Sequence, residues 1–143
     1  PNDNYNLENC HFLPALISKI HSAKIRKKKY LKIWGTGKPK REFLFVDDLA
    51  DALIFLMKNY NKNDHINVGS GNESSILNLA KIIAKVVGFK GKFIFDASKP
   101  DGTPRKLMDS RICNRLGWHP QVTLKEGLTR AYRDFKESLA EQM

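Results

Sequence analysis

The sequence predicts a mixed α/β fold in one domain, and three observations predict it. Apolar residues recur at helical spacing in four stretches, residues 9–26, 49–60, 74–88 and 123–139. Four short runs rich in β-branched and aromatic residues lie between them, at 30–34, 43–46, 65–68 and 92–95. Gly, Pro and Asp gather in the connections, most densely at 96–106 (DASKPDGTPRK). Four short strands are too few for a full doubly wound sheet, so the expectation is α/β in kind but incomplete in architecture.

In chain order, residues 9–26 read as a helix with its entry. Leu13, Leu16, Ile17 and Ile20 form the apolar stripe, and Pro14 suits a first turn, where a missing N–H needs no partner. His11 stands just ahead, at the positive end of the helix dipole, and Lys19 projects from a different face than the stripe. Residues 30–34 and 43–46 read as two strands joined through Gly35, Gly37 and Pro39, a hairpin-like connection. Asp47 or Asp48 is expected to cap the next helix, whose stripe is Leu49, Ala52, Leu53, Leu56, Met57 and Tyr60. Residues 65–68 (HINV) form a short strand ending in Gly69-Ser70-Gly71. Ser74 or Ser75 then caps a helix carrying Ile76, Leu79, Ile82, Ile83 and Val86, closed by Gly88. A strand at 92–95 leads into the loop 96–106, and a short helix at 110–116 is closed by Gly117. Thr123 and Glu126 have the form of a capping box for a last helix with Leu128, Ala131, Phe135 and Leu139 inward.

At 143 residues and 41% hydrophobic content, the chain can bury a real core and is not of disordered composition. No apolar run approaches bilayer length and the first ten residues are polar, so a cytoplasmic setting without a membrane partner is expected. Cys10 and Cys113 lie far apart, and His21, His65 and His119 have no spacing partner, so no metal site is expected. The stretch PNDNYN lacks an initiator Met and reads as the middle of a loop, which implies a piece of a longer protein. The formal charge is +10, from 25 basic and 15 acidic residues. Nucleic acid, an anionic surface or a polyphosphate ligand would each suit that charge. The run Arg26-Lys27-Lys28-Lys29 has no interleaved aromatics, however, and reads first as a solvated surface.

Chemistry concentrates in two stretches. In IWGTGKPKREFLFVDDLA, Trp34 and Arg41 stand on opposite sides of one turn, where both can face one ligand. A ring offers a stacking face and guanidinium grips phosphate through paired N–H groups, which suits a base or sugar with phosphate attached. In DGTPRK, Asp101 can take sugar hydroxyls while Arg105 and Lys106 take phosphate. His11 is the acid/base candidate, since imidazole exchanges protons near neutral pH, although a surface or capping role is also open to it. Asp47-Asp48 reads as capping rather than as a catalytic dyad, because neighbours entering a helix point apart. Gly69-Ser70-Gly71 lacks a third Gly and a Lys-Ser/Thr, so it reads as a turn and not as a phosphate loop. No nucleophile–base arrangement, complete dinucleotide fingerprint or Tyr-x-x-x-Lys pair is recognised in the sequence, so the chain on its own is not expected to catalyse redox chemistry.

Taken together, PNDNYNLENCHFLPALI, WGTGKPKREFLFVDDLADA, HINVGSG and FDASKPDGTPRKLMD closely resemble the C-terminal part of the GDP-L-fucose synthase family, within the extended short-chain dehydrogenases/reductases. The resemblance runs in order along nearly the whole chain. It implies that residues 1–143 are a C-terminal substrate-binding domain, with NADP(H) bound mainly by an N-terminal Rossmann domain that this chain lacks. It implies epimerisation of GDP-4-keto-6-deoxy-D-mannose at C3 and C5 followed by reduction at C4, with a homodimer as the assembly. His11 falls on the family's catalytic histidine, while Lys19, Trp34, Arg41 and Lys106 fall on substrate-contacting positions and Asp101 lies in the same loop. Cys10 stands where the family usually has Ser and is not its catalytic cysteine. The same domain of another nucleotide-sugar epimerase or dehydratase is the nearest alternative, and a basic nucleic-acid-binding domain is an alternative of another class.

Overall fold

Amphipathic spacing accounts for the long helices in the computed structural model, which describes residues 3–141; Pro1 and Asn2 of the opening stretch lie outside them. Helix α1 (Phe12–Ile25) starts after His11 and buries Leu16, Ile17, Ile20 and Ala23. Strand β1 (Tyr30–Trp34) follows with the expected bounds. Strand β2 is Lys40–Glu42, and helix α2 runs Val46–Asn59. Strand β3 (Glu73–Ser75) leads straight into helix α3 (Ile76–Val87). There Ser75 caps by accepting from the Asn78 N–H, and Gly88 closes the helix at a φ of 80°. Strands β4 (Lys92–Asp96) and β5 (Arg105–Lys106), helix α4 (Arg111–Arg115) and helix α5 (Leu124–Glu141) complete the chain. At α5 half of the capping box forms. Thr123 Oγ1 accepts from the Glu126 N–H, while the Glu126 carboxylate turns to Arg130.

The strands make two small sheets, β1-β4 and β3-β2-β5. β1 and β4 are parallel, Tyr30 opposite Lys92 and Trp34 opposite Asp96. β2 is antiparallel to β3 and parallel to β5, with Arg41 opposite both Ser74 and Lys106. The hairpin expected between residues 30–34 and 43–46 is therefore absent, since β1 and β2 belong to different sheets. The expected strand at 43–46 is also displaced, to Lys40–Glu42. Phe43 and Leu44 alternate because the connecting segment runs between two apolar clusters, Phe43 packing on one and Leu44 on the other. Residues 65–68 belong to no strand, and β3 and β5 fall where no strand was expected.

The main core joins α1, α3 and α5 over β1, with Ile20, Leu79 and Ile83 fully enclosed. A smaller cluster gathers Ala52, Leu56, Cys113 and Trp118 under α2. Asp47 and Asp48 do not cap α2: Phe45 is the capping residue, without a side-chain bond. The Asp48 carboxylate is buried and accepts from the N–H groups of Gln121 and Val122, pinning the chain ahead of α5 to α2. Half of the expected α2 stripe also points outward, Leu49, Leu53 and Met57 being exposed.

Candidate functional site

A cleft of about 630 Å³ opens between the first half of α1, the end of β1, the β2 strand and the loop at 100–101. It is lined by His11, Lys19, Trp34, Arg41 and Asp101, five of the six residues singled out from the sequence. Each is delivered by a different local rule. His11 is the residue before α1, and its ring makes no capping bond, so its nitrogens are open to the cleft. Lys19 lies two turns along α1, on the exposed side of a helix whose opposite face is fixed in the core.

Trp34 ends β1 with 71% of its surface exposed, and the Lys99 ammonium sits 5.6 Å from its ring centroid. Beyond it the chain reverses through Gly35 and Gly37, with φ of 81° and 75°. This turn is held at three points. The Gly35 N–H donates to the Asp96 carbonyl, and the Gly37 carbonyl accepts from the Leu77 N–H at the start of α3. Asp101 closes the third point: Oδ1 accepts from the Thr36 N–H and Oδ2 from Thr36 Oγ1, both at 2.6 Å. These bonds hold the Asp101 carboxyl below the usual carboxylate range. Asp101 therefore reaches the cleft with both oxygens engaged, which shifts it from a free acceptor of hydroxyls toward a latch.

Arg41 sits in the middle strand of the three-stranded sheet, its Nη1 donating to the Lys40 carbonyl at 2.7 Å. Lys106 is its register partner on β5, yet it stands outside the residues that line the cleft. The sheet carrying both is cross-tied by Glu73, whose carboxylate meets Lys40 at 3.0 Å and Arg105 at 2.6 Å. Arg105, read from the sequence as a phosphate ligand, is thus committed to Glu73.

Two positioning groups gave no signal in the sequence. Thr36 is one. Glu42 is the other: its Oε1 accepts from the Gly71 N–H at 2.7 Å and its Oε2 from the Met108 N–H at 2.9 Å. This takes up an amide of the Gly69–Gly71 turn, so the turn offers no ready cradle for a pyrophosphate. Contrary to expectation, one Tyr-x-x-x-Lys pair is present, Tyr132 and Lys136. The structure makes it a packing pair: Tyr132 is buried with its hydroxyl 3.0 Å from His21 Nδ1, and Lys136 lies over its ring. Burial raises the Tyr132 phenol and lowers the His21 imidazole. Cys113 is wholly buried with its thiol pushed up by burial, and Cys10 lies just before His11. Among the described residues no group of three His, Cys, Asp or Glu could hold a metal ion, and no helix is long and apolar enough to cross a membrane.

Residues 1–69 match the model of the NAD dependent epimerase/dehydratase family. The fold matches part of an extended short-chain dehydrogenase/reductase or epimerase fold. Within the class its resemblance is to GDP-L-fucose synthases. It is 55% identical to "Probable GDP-L-fucose synthase 1" of Oryza sativa subsp. japonica, over 97% of this chain and 42% of that protein. It is 44% identical to the GDP-L-fucose synthase of Escherichia coli, over 96% of this chain and 46% of that protein. A GDP-L-fucose synthetase structure from Naegleria fowleri superposes with a TM-score of 0.89 at 31% identity, covering 98% of this chain and 43% of that one. A UDP-glucose 4-epimerase from Thermotoga maritima, 21% identical with a TM-score of 0.82 over 97% of this chain and 43% of that one, shares the fold. The chain thus spans less than half the length of these relatives.

Proposed function

We propose that this chain is the nucleotide-sugar-binding part of an enzyme of the GDP-L-fucose synthase type. The whole enzyme would convert GDP-4-keto-6-deoxy-D-mannose to GDP-L-fucose by 3,5-epimerisation and 4-reduction. The observation that carries this reading is the meeting of one imidazole, one exposed indole and two cations in a single cleft, at His11, Trp34, Lys19 and Arg41. Lys19 and Arg41 supply positive charge for a diphosphate, and the Trp34 face offers stacking for a sugar or base. Hydrogens beside a ketone are acidic because the carbanion delocalises as an enolate, so His11 at the cleft can give or take a proton there. A second acid/base group, a cysteine in this family, would come from outside the chain: Cys113 is buried, and Cys10 stands where the family usually has Ser.

NADPH, when bound, would supply the hydride for the C4 step and leave as NADP+, and a neighbouring structure is described as bound to NADP. The Gly69–Gly71 turn of this chain is no free pyrophosphate cradle, because the Gly71 amide donates to Glu42. Cofactor binding is therefore assigned mainly to an N-terminal Rossmann domain, and the isolated chain is expected to be inactive. A cytoplasmic homodimer is the assembly that accords with this reading.

Calorimetric titration with GDP, UDP and ADP tests it, on the chain alone and with its complementary half. GDP should bind best, and Trp34→Ala or Arg41→Ala should weaken it by roughly tenfold or more. A preference for UDP would discard the reading. Relatives described as GDP-L-colitose synthase and GDP-mannoheptose C4 reductase favour a second reading, another GDP-sugar with the same cleft. Turnover assays with the respective keto-sugars separate the two.

A further inference from the structure

We infer that a groove remote from the cleft is a second anion site, and that its ligand is a chain of several phosphates. The inference does not depend on the proposed function. This groove, of about 580 Å³, lies where α1 and α3 end and where β1 and β4 begin. β1 runs from Tyr30 at the groove to Trp34 at the cleft, so roughly 13 Å of strand separates the two sites.

The first observation is charge. Lys24, Lys27, Lys28, Lys29, Lys90 and Lys92 line the groove, and all six are exposed. No carboxylate lines it, and no Asp or Glu occurs between Glu8 and Glu42 or between Glu73 and Asp96. Among the described residues none of the six forms an ion pair. Two helix ends do attract cations, since each carries about half a negative charge. Lys24 answers them, donating from Nζ to the Val87 carbonyl at 2.7 Å. The other lysines exceed that need, and like charges crowded together repel one another until an anion lies between them.

The second observation is where one of these lysines stands. α1 and α3 close by the same motif, the N–H of Lys28 reaching back to the Ala23 carbonyl and that of Phe89 to the Ala84 carbonyl. The motif needs one residue at positive φ. α3 has Gly88 there, at 80°, whereas α1 has Lys27 at 50°, the only non-glycine residue at positive φ among those described. Glycine adopts that conformation freely, and lysine does so at a cost. Lysine at a glycine position serves its charge and not the turn. The N–H groups of Arg26, Lys27 and Lys28 all donate within the helix end, so it is the side chains that face a ligand.

Residue type sets the ligand class. A phosphate held in fixed geometry favours the paired N–H groups of arginine, whereas lysine is a point charge on a flexible stem. Lysines alone around one groove suit a flexible chain of phosphates with its charge spread along it. The volume is that of a small-molecule site rather than of a track for a polymer. Tyr30, 59% exposed at the same groove, adds a ring on which a base can stack. The phosphates can therefore arrive as an inorganic chain or on a nucleoside, two sources of one chemistry.

Calorimetry of the whole chain with inorganic tripolyphosphate tests the inference. A Kd below roughly 100 μM is expected, and Lys28→Gln with Lys90→Gln should raise it by roughly tenfold or more at unchanged circular dichroism. Lys27→Gly should weaken binding by roughly threefold yet raise the melting temperature, a pairing that a purely structural lysine does not give. ATP separates the sources. Tighter binding than tripolyphosphate, erased by Tyr30→Ala, identifies a nucleotide, and equal or weaker binding identifies a free chain. Absence of tripolyphosphate binding overturns the inference, as does unchanged affinity in either lysine variant. Loss of binding in Lys19→Ala with Arg41→Ala would move the anion to the cleft and also overturns it. So does a single-stranded oligonucleotide that binds more tightly than tripolyphosphate and gains affinity with length, the mark of a nucleic-acid track.

Discussion

Asp101 grips Thr36 with both carboxylate oxygens, Oδ1 on the backbone N–H and Oδ2 on the hydroxyl, each at 2.6 Å. Sixty-five residues apart in sequence, the two close the Trp34 turn against the loop that precedes β5. Asp101→Asn keeps the shape but offers a weaker acceptor and one wrong donor. It should raise the Kd for GDP by roughly three- to tenfold, the size of one or two lost hydrogen bonds. Thr36→Val should reproduce part of that loss, and the double variant should be less than additive in calorimetry.

The same turn should respond to acid. The Lys32 ammonium, then the Ser98 hydroxyl, hold the Asp96 carboxyl at about 2, and the Thr36 bonds hold Asp101 below its ordinary 3.8. Both folded values lie under the unfolded ones, so the stabilisation is complete above pH 3.8 and is lost as pH falls toward about 2. The indole N–H resonance of Trp34 should therefore stay fixed on acidification and move only below that value. Movement at a higher pH, with both carboxylates ionised, would contradict the assignment.

Gly37→Ala tests whether the turn needs its backbone shape. A Cβ there would stand 2.4 Å from the Phe95 ring, at a φ of 75° that L side chains seldom adopt. Strain and overpacking together should cost about 2–4 kcal/mol, read as a lower urea midpoint at unchanged slope.

Asp48→Ala addresses a buried polar tie rather than a helix cap. The N–H groups of Gln121 and Val122, 3.2 and 2.9 Å from Asp48 Oδ2, would lose their acceptor. A loss of about 2–4 kcal/mol in urea unfolding is expected, more than the ~1 kcal/mol of a lost cap. Asp47→Ala, on the exposed side of the same turn, should change little.

His11→Asn separates binding from chemistry. In the enzyme assembled from both halves, GDP affinity should change by no more than roughly threefold, since the cations and ring remain. Exchange of solvent deuterium into sugar C3 and C5 should slow by roughly a hundredfold or more. Equal loss in both measurements would make His11 a binding group instead.

Much of this protein is legible in its sequence because the deciding forces are local. Amphipathic spacing and end residues place α1, α3 and α5, and Ser75 and Gly88 bound α3 with their own side chain or lack of one. The candidate site is legible by residue type, and five of its six expected members line one cleft. The failures are all non-local. The alternation at 43–46 has the period of a strand but arises from burial between two clusters, and period cannot tell those apart. The α2 stripe reads as one core face, whereas half of it, Leu49, Leu53 and Met57, is exposed.

By itself, then, the sequence determined which segments are helical, which side chains carry charge, ring or imidazole, and which proteins the chain resembles. The tertiary structure alone decided that Arg41 lines the cleft while Lys106 stands outside it, that Asp101 is engaged by Thr36, and that residues 65–68 pair with no strand among the described residues. The physical reason is the same in each case. A helix satisfies its own backbone and announces itself in spacing, but strand pairing and side-chain latches depend on groups brought from far along the chain, or from beyond it.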